Sequence, residues 1–261
     1  MIFSIFFIDS RIKSSLILHE SFEPSGYGKV LGGILYSLLN IGIRRNLNII
    51  SISNITKLNT IEKVRDKIRV IPPIAFENLS SINNKEKSII LDTRWTQDRE
   101  PLFLLGIMEK LKNVKFYMCG SFPNESLEGE FITELKRMSL DKTCELHLGV
   151  SGEEMNMLYD RSMILMRWSG LSEKGNSVAV MDSISHECIP IVDANLGEMP
   201  DIIKKEISPI LVVERREEAF AEVAIKILEN EELYNRLREK IKELKIKMSW
   251  KSYSESLLKI V

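Results

Sequence analysis

The sequence predicts an α/β protein built on doubly wound parallel sheets, a small one followed by a larger one, and three observations carry that prediction. Across residues 88–213, short apolar runs alternate with segments whose apolar residues recur every three or four positions. That alternation is the mark of parallel βαβ units with right-handed crossovers. Ahead of it, residues 15–19, a breaker segment at 20–29 and a wide apolar face over 30–39 spell strand, glycine-bearing turn and helix, the opening unit of a doubly wound domain. Finally, residues 171–201 read as polar loop, helix, short buried strand, second loop and second helix start.

The elements follow in order. After the opening unit, residues 47–53 read as a strand, residues from Asn54 as a helix carrying Ile61 and Val64, and residues 69–73 as a strand stopped by proline. Residues 77–87 are polar and rich in Asn and Ser, and read as a linker. Beyond it, strands are expected at 88–92, 115–119, 144–148, 163–167, 188–192 and 210–213. Helices are expected at 101–111, 129–138, 153–159 and 177–186, and Asn176 or Ser177 can cap the last of these through a side-chain oxygen. Residues 217–228 and 231–247 are amphipathic helices with charged outer faces, and Trp250 opens a final helix containing Leu257 and Leu258.

Composition narrows the function. A chain of 261 residues with 44% hydrophobic content can bury a large core. Its formal net charge of −1, from 36 basic and 37 acidic side chains, gives no field for nucleic acid or an anionic membrane. Residues 1–8 are apolar but too short for a signal core or a membrane span, and no other run approaches membrane length, so a soluble cytoplasmic protein is expected. Three cysteines describe no disulfide framework. Cys144 with His147 and His186 with Cys188 offer zinc ligands by type. Each pair sits on a strand or helix end and not on a knuckle, so no metal is expected.

Two cations stand out. Arg94 and Arg99 follow the strand at 88–92, on a loop at the carboxyl end of a strand, where open α/β sheets bind ligands. They can grip a diphosphate, or pair on the surface with Asp98 or Glu100. Gly175, Asn176 and Ser177 lead into a helix whose first N–H groups and dipole suit a phosphate. Asp182 lies inside that helix, placed for ribose hydroxyls.

These residues carry a resemblance. Residues 171–201 resemble the donor-sugar motif of retaining glycosyltransferases with the GT-B fold, in particular glycosyltransferase family four. Cys188-Ile189-Pro190-Ile191-Val192 matches that motif's strand, and Asp182 stands where its second Glu is expected. Counting back without a gap puts Lys174 at the first acid, and Glu173 fits if one residue is inserted. Gly197-Glu198-Met199-Pro200-Asp201 keeps most of the motif's closing pattern, while Arg94 and Arg99 resemble its Arg and Lys at the same spacing.

The resemblance implies two Rossmann-like domains. Residues 1–76 form an abbreviated acceptor-side domain, 77–87 the linker, 88–248 the nucleotide-sugar domain, and 249–261 a helix returning to the first domain. It implies transfer of a sugar, with retention, from a UDP- or GDP-sugar to a glycan, lipid-linked sugar or protein acceptor. No metal or resident cofactor is implied. By the same resemblance Arg94, Arg99 and Glu173 are catalytic, and Val150, Gly175, Asn176, Ser177 and Asp182 hold the donor. His19, Gly26, Tyr27 and Gly28 face the acceptor and donor phosphate. The competing reading is a non-catalytic nucleotide-binding or interaction protein derived from such an enzyme.

Overall fold

The computed structural model describes residues 14–18, 47–51, 66–70, 76, 85–170 and 177–258. The chain divides into two compact units, one of residues 1–75 with 250–261 and one of residues 76–249. In the first unit β1 (Ser14–Leu18), β2 (Leu47–Ser51) and β3 (Ile68–Val70) form a parallel sheet in that order. Ile49 and Ile68 are opposite each other in its register and both buried. The helices expected after β1 and β2 lie outside the described residues.

The second unit is a six-stranded sheet whose described pairings are all parallel, made of β4 (Glu86–Arg94), β5 (Lys115–Ser121), β6 (Cys144–Leu148), β7 (Ser162–Arg167), β8 (Ile189–Asp193) and β9 (Val212–Val213). Its order is β6-β5-β4-β7-β8-β9. The central strands are apolar through their length, with Ile89, Ile90, Leu91, Ile164 and Leu165 all buried, because helices cover both faces of such a sheet. Those helices are α1 (Pro101–Lys110), α2 (Glu125–Arg137), α3 (Gly152–Arg161), α4 (Val178–Ser185), α5 (Met199–Glu206), α6 (Glu217–Glu229) and α7 (Glu231–Lys247). A last helix, α8 (Trp250–Leu258), groups with the first unit.

Several boundaries differ from the sequence expectation. Strand β4 begins at Glu86, inside the stretch read as linker, because the Glu86 carboxylate is claimed by Arg161 at 2.8 Å and by the Tyr117 hydroxyl at 2.8 Å. Helix α2 starts at Glu125, four residues early, since the Asn124 side chain accepts from the N–H groups of Ser126 and Leu127. Residues 210–213 divide into a 3₁₀ turn, Pro209–Leu211, and the two-residue β9. Ser177 occupies the N-cap position of α4, yet its buried side chain makes no capping bond. Its expected capping role is therefore not the one it plays.

The edge of the sheet where β4, β7 and β8 begin holds a buried charge cluster. Glu187, with a left-handed φ of 56°, follows α4 and is buried. Its carboxylate accepts from Arg238 Nε at 2.9 Å and lies 3.3 Å from Lys245 Nζ, both on α7. A non-glycine residue in that conformation is strained, and two buried cations hold it there.

Candidate donor-binding site at the carboxyl edge of the sheet

From β4 the chain runs outward through β5 and β6, then returns across β4 to build β7, β8 and β9 on the other side. The two directions of winding part between β4 and β7, and a crevice opens at such a switch point. Here it is a small cleft lined by Asp92, Thr93, Trp95, Arg167 and Trp168 among others.

Arg94 ends β4 and is exposed; Arg99 ends the 3₁₀ turn Gln97–Arg99 and is half-buried. Two buried tryptophans brace the loop between them. Trp95 donates its backbone N–H to Ser121 O at 2.8 Å and its indole N–H to Cys119 O at 2.9 Å, which fastens the loop to β5. Trp168 donates its indole N–H to Arg99 O at 2.6 Å, which fastens it to the end of β7. The two indoles lie 6.0 Å apart, and Trp168 meets Phe103 edge-on at 5.1 Å.

Close approach sets two glycines here. A Cβ on Gly120, whose φ is 116°, would lie 1.8 Å from Thr93 O. One on Gly170 would lie 2.5 Å from an Asp98 carboxylate oxygen and 2.9 Å from Arg99 Nε. Of the surface partners expected for the arginines, Glu100 is taken by Arg215 at 3.1 Å, and Asp98 accepts from the Thr96 hydroxyl.

The neighbouring loops are tied to the same edge. Gly149 donates to Gly120 O at 2.9 Å, placing half-buried Val150 just beyond the end of β6. His147 is held between Glu154 at 3.1 Å and Glu145 at 3.4 Å, as a packed side chain. Fully buried Asp193 at the end of β8 accepts from Ser169 N at 2.6 Å, Ser169 Oγ at 2.9 Å and Asn195 N at 2.5 Å. It thereby locks the chain leaving β7. Asp182 is half-buried on α4. Glu173, Gly175, Asn176, His19, Gly26, Tyr27 and Gly28 lie outside the described residues.

Inside the sheet, burial raises the Asp92 carboxyl above its ordinary range, partly offset by the Tyr159 hydroxyl that donates to it at 2.9 Å. The Cys144 and Cys188 thiols are each pushed up to about 12 by burial, which leaves them inert as nucleophiles. Among the described residues no group of His, Cys, Asp and Glu is placed to hold a metal. No described helix is long and apolar enough to cross a membrane.

Sequence reasoning missed Trp95, Trp168 and Asp193. The signal for Trp95 was available: a tryptophan beside Arg94 in a polar loop is out of place unless buried. Asp193 gave none, because its partners are distant in sequence.

The fold agrees with the family comparison. Residues 78–244 match the family model of glycosyl transferases group 1, and the chain belongs to that family. No curated protein sequence matches it. Among solved structures, a glycosyltransferase from Rickettsia africae is 19% identical with a TM-score of 0.65, over 82% of this chain and 62% of that one. HepE of Anabaena, in complex with UDP and glucose, is 10% identical with a TM-score of 0.71, over 95% and 71%. A TarM variant from S. aureus, in complex with fondaparinux, α-GlcNAc-glycerol and UDP, is 14% identical with a TM-score of 0.68, over 95% and 50%. The chain thus spans about half to seven-tenths of these proteins, and it shares their GT-B fold.

Proposed function

We propose that the chain binds a nucleoside-diphosphate sugar across the carboxyl edge of the six-stranded sheet and transfers the sugar, with retention, to a hydroxyl acceptor. The observation that carries this reading is the Arg94–Arg99 loop, braced by two tryptophans at the switch point in a member of this family. As the bond from the sugar C1 to the β-phosphate oxygen breaks, negative charge grows on the diphosphate. The acceptor oxygen bonds to C1 from the same face and its proton passes to the departing phosphate. Preorganised cations stabilise that charge without rearrangement, an effect of about 2.7–4 kcal/mol for a single well-placed donor.

Asp182 takes the ribose, the backbone at Val150 the base, and Gly175, Asn176 and Ser177 the phosphates. Glu173 takes the hydroxyls of the sugar, while His19, Gly26, Tyr27 and Gly28 serve the acceptor side. No resident cofactor enters the scheme. The donor class is a UDP- or GDP-sugar, with UDP first to test because two similar structures contain it.

Calorimetric titration with UDP, GDP and their sugars, followed by donor turnover with candidate glycan, lipid-linked and protein acceptors, is the test. Binding and transfer are expected. Binding without turnover makes the chain a nucleotide-binding protein, and no binding removes both readings. Asp182→Asn is expected to lose affinity for the nucleotide and far less for inorganic diphosphate; equal losses would reduce Asp182 to a support of the loop.

A further inference from the structure

We propose that Tyr159 is a positioning residue that holds the two halves of the donor site in register, the arginine-bearing end of β4 and the helix α4 that carries Asp182. Its hydroxyl lies 2.9 Å from Asp92 Oδ2 and 3.3 Å from Ala179 O. Asp92 stands two residues before Arg94, and Ala179 stands three before Asp182 on the same helix, about one turn away. One side chain thus spans the strand that leads to the phosphate-gripping loop and the helix assigned to the ribose.

Tyr159 is itself fixed at every point. It is buried near the end of α3, and its ring stacks on His186 with centroids 5.6 Å apart and planes 14° off parallel. His186 is the C-cap of α4, and its ring nitrogens lie 2.8 Å from Asp160 Oδ1 and 3.2 Å from Asn156 Oδ1. Lys85 Nζ donates to the carbonyls of Tyr159, Asp160 and Ser162 at 2.8, 3.0 and 3.0 Å. Backbone, ring and hydroxyl are therefore all engaged in holding the side chain.

A phenylalanine would fill the same apolar space, so the hydroxyl is what needs explaining, since burying one costs stability unless it is bonded. A single O–H donates to one acceptor at a time. When Asp92 is ionised the proton goes to its carboxylate. When Asp92 is neutral its own O–H can donate to the tyrosine oxygen, and the tyrosine proton turns to Ala179 O. The strut survives in both states. A ligand that touches both halves gains from having them already spaced, whereas a ligand that touches one half does not.

The inference rests on the nucleotide-site reading, and its test separates the two. The full chain and its Tyr159→Phe variant are titrated with UDP, GDP, inorganic diphosphate and the nucleosides uridine and guanosine, by calorimetry or, for weak binders, by NMR. Nucleotide affinity is expected to fall about tenfold, the size of one lost hydrogen bond, with inorganic diphosphate, which meets both the arginines and the start of α4, falling alongside it and the nucleoside affinities nearly unchanged. Equal losses for every ligand, or no loss for the nucleotide, would overturn the strut while leaving the site intact. Failure of the wild-type chain to bind either nucleotide would overturn both readings. Asp92→Asn in the Tyr159→Phe background removes the buried carboxylate left without its donor. The unfolding midpoint is expected to recover and the nucleotide affinity is not; recovery of both together would make Tyr159 a purely structural residue.

Discussion

At the end of β4, Arg94 and Arg99 are polar residues placed by apolar ones: the Trp95 and Trp168 indoles hold the loop that carries them. Arg94→Ala or Arg99→Ala should therefore weaken nucleotide-diphosphate binding by roughly 1.5–3 kcal/mol, the range for charge-assisted hydrogen bonds. The unfolding midpoint should barely move. Titration of wild type and variants at one salt concentration checks this, and equal affinities would remove the clamp. Asp92 offers a pH test. Its folded pKa is raised by burial above its unfolded value, so the folded state holds its proton over a window where the unfolded state has released it. Stability from this group is complete below the unfolded pKa and is lost as pH rises through the raised folded one. Urea unfolding across the acid range should show wild type losing stability relative to Asp92→Asn over that window; parallel curves would mean that Asp92 titrates normally. The cations were legible from their spacing after a strand. The bracing was not, because hydrogen bonds such as Trp168 to Arg99 O join residues far apart in the chain.

Among the elements, α4 shows what periodicity can and cannot supply. Its helical span is readable from Val178, Met181 and Ile184 at helical spacing, although the buried face carries Val180, Ser183 and Ile184 and Val178 is exposed. Its ending is not, since Glu187 adopts a left-handed conformation that sequence rules assign to glycine or asparagine. The reason is long-range: Arg238 and Lys245, buried on α7, hold the carboxylate. Removing one partner of a buried ion pair strands the other charge, at about 3–5 kcal/mol. Glu187→Gln should lower stability by roughly that amount, read from urea unfolding, and a loss within the range of ordinary surface substitutions would show that the cluster is solvated. The early start of α2 is the opposite case. Asn124 three residues before the buried Leu127 is a cap written in the sequence, and Gly129 is tolerated mid-helix because its Cβ position faces open space.

For the molecule as a whole, the alternation of strands and helices made the parallel sheet legible, but not its order, because periodicity does not say on which side of β4 each later strand lies. The six strands and seven of the helices described all fall within residues 76–249. A polypeptide of residues 76–249 is accordingly expected to unfold in one cooperative step and to retain nucleotide binding, with sugar transfer abolished. Transfer by this fragment would show that the first unit is not needed for the reaction, and loss of its cooperative unfolding would show that the second unit depends on the first for its stability. Phe76 donates to Met248 O at 2.9 Å and bridges Ser249, so the chain enters and leaves the second unit at one doorway. That closure orders events on the ribosome. The second unit can finish while the first, which includes residues 250–261, still waits for its last helix to be translated. The half with the larger sheet can thereby become the early folder, complete before the other unit has all of its chain to hand.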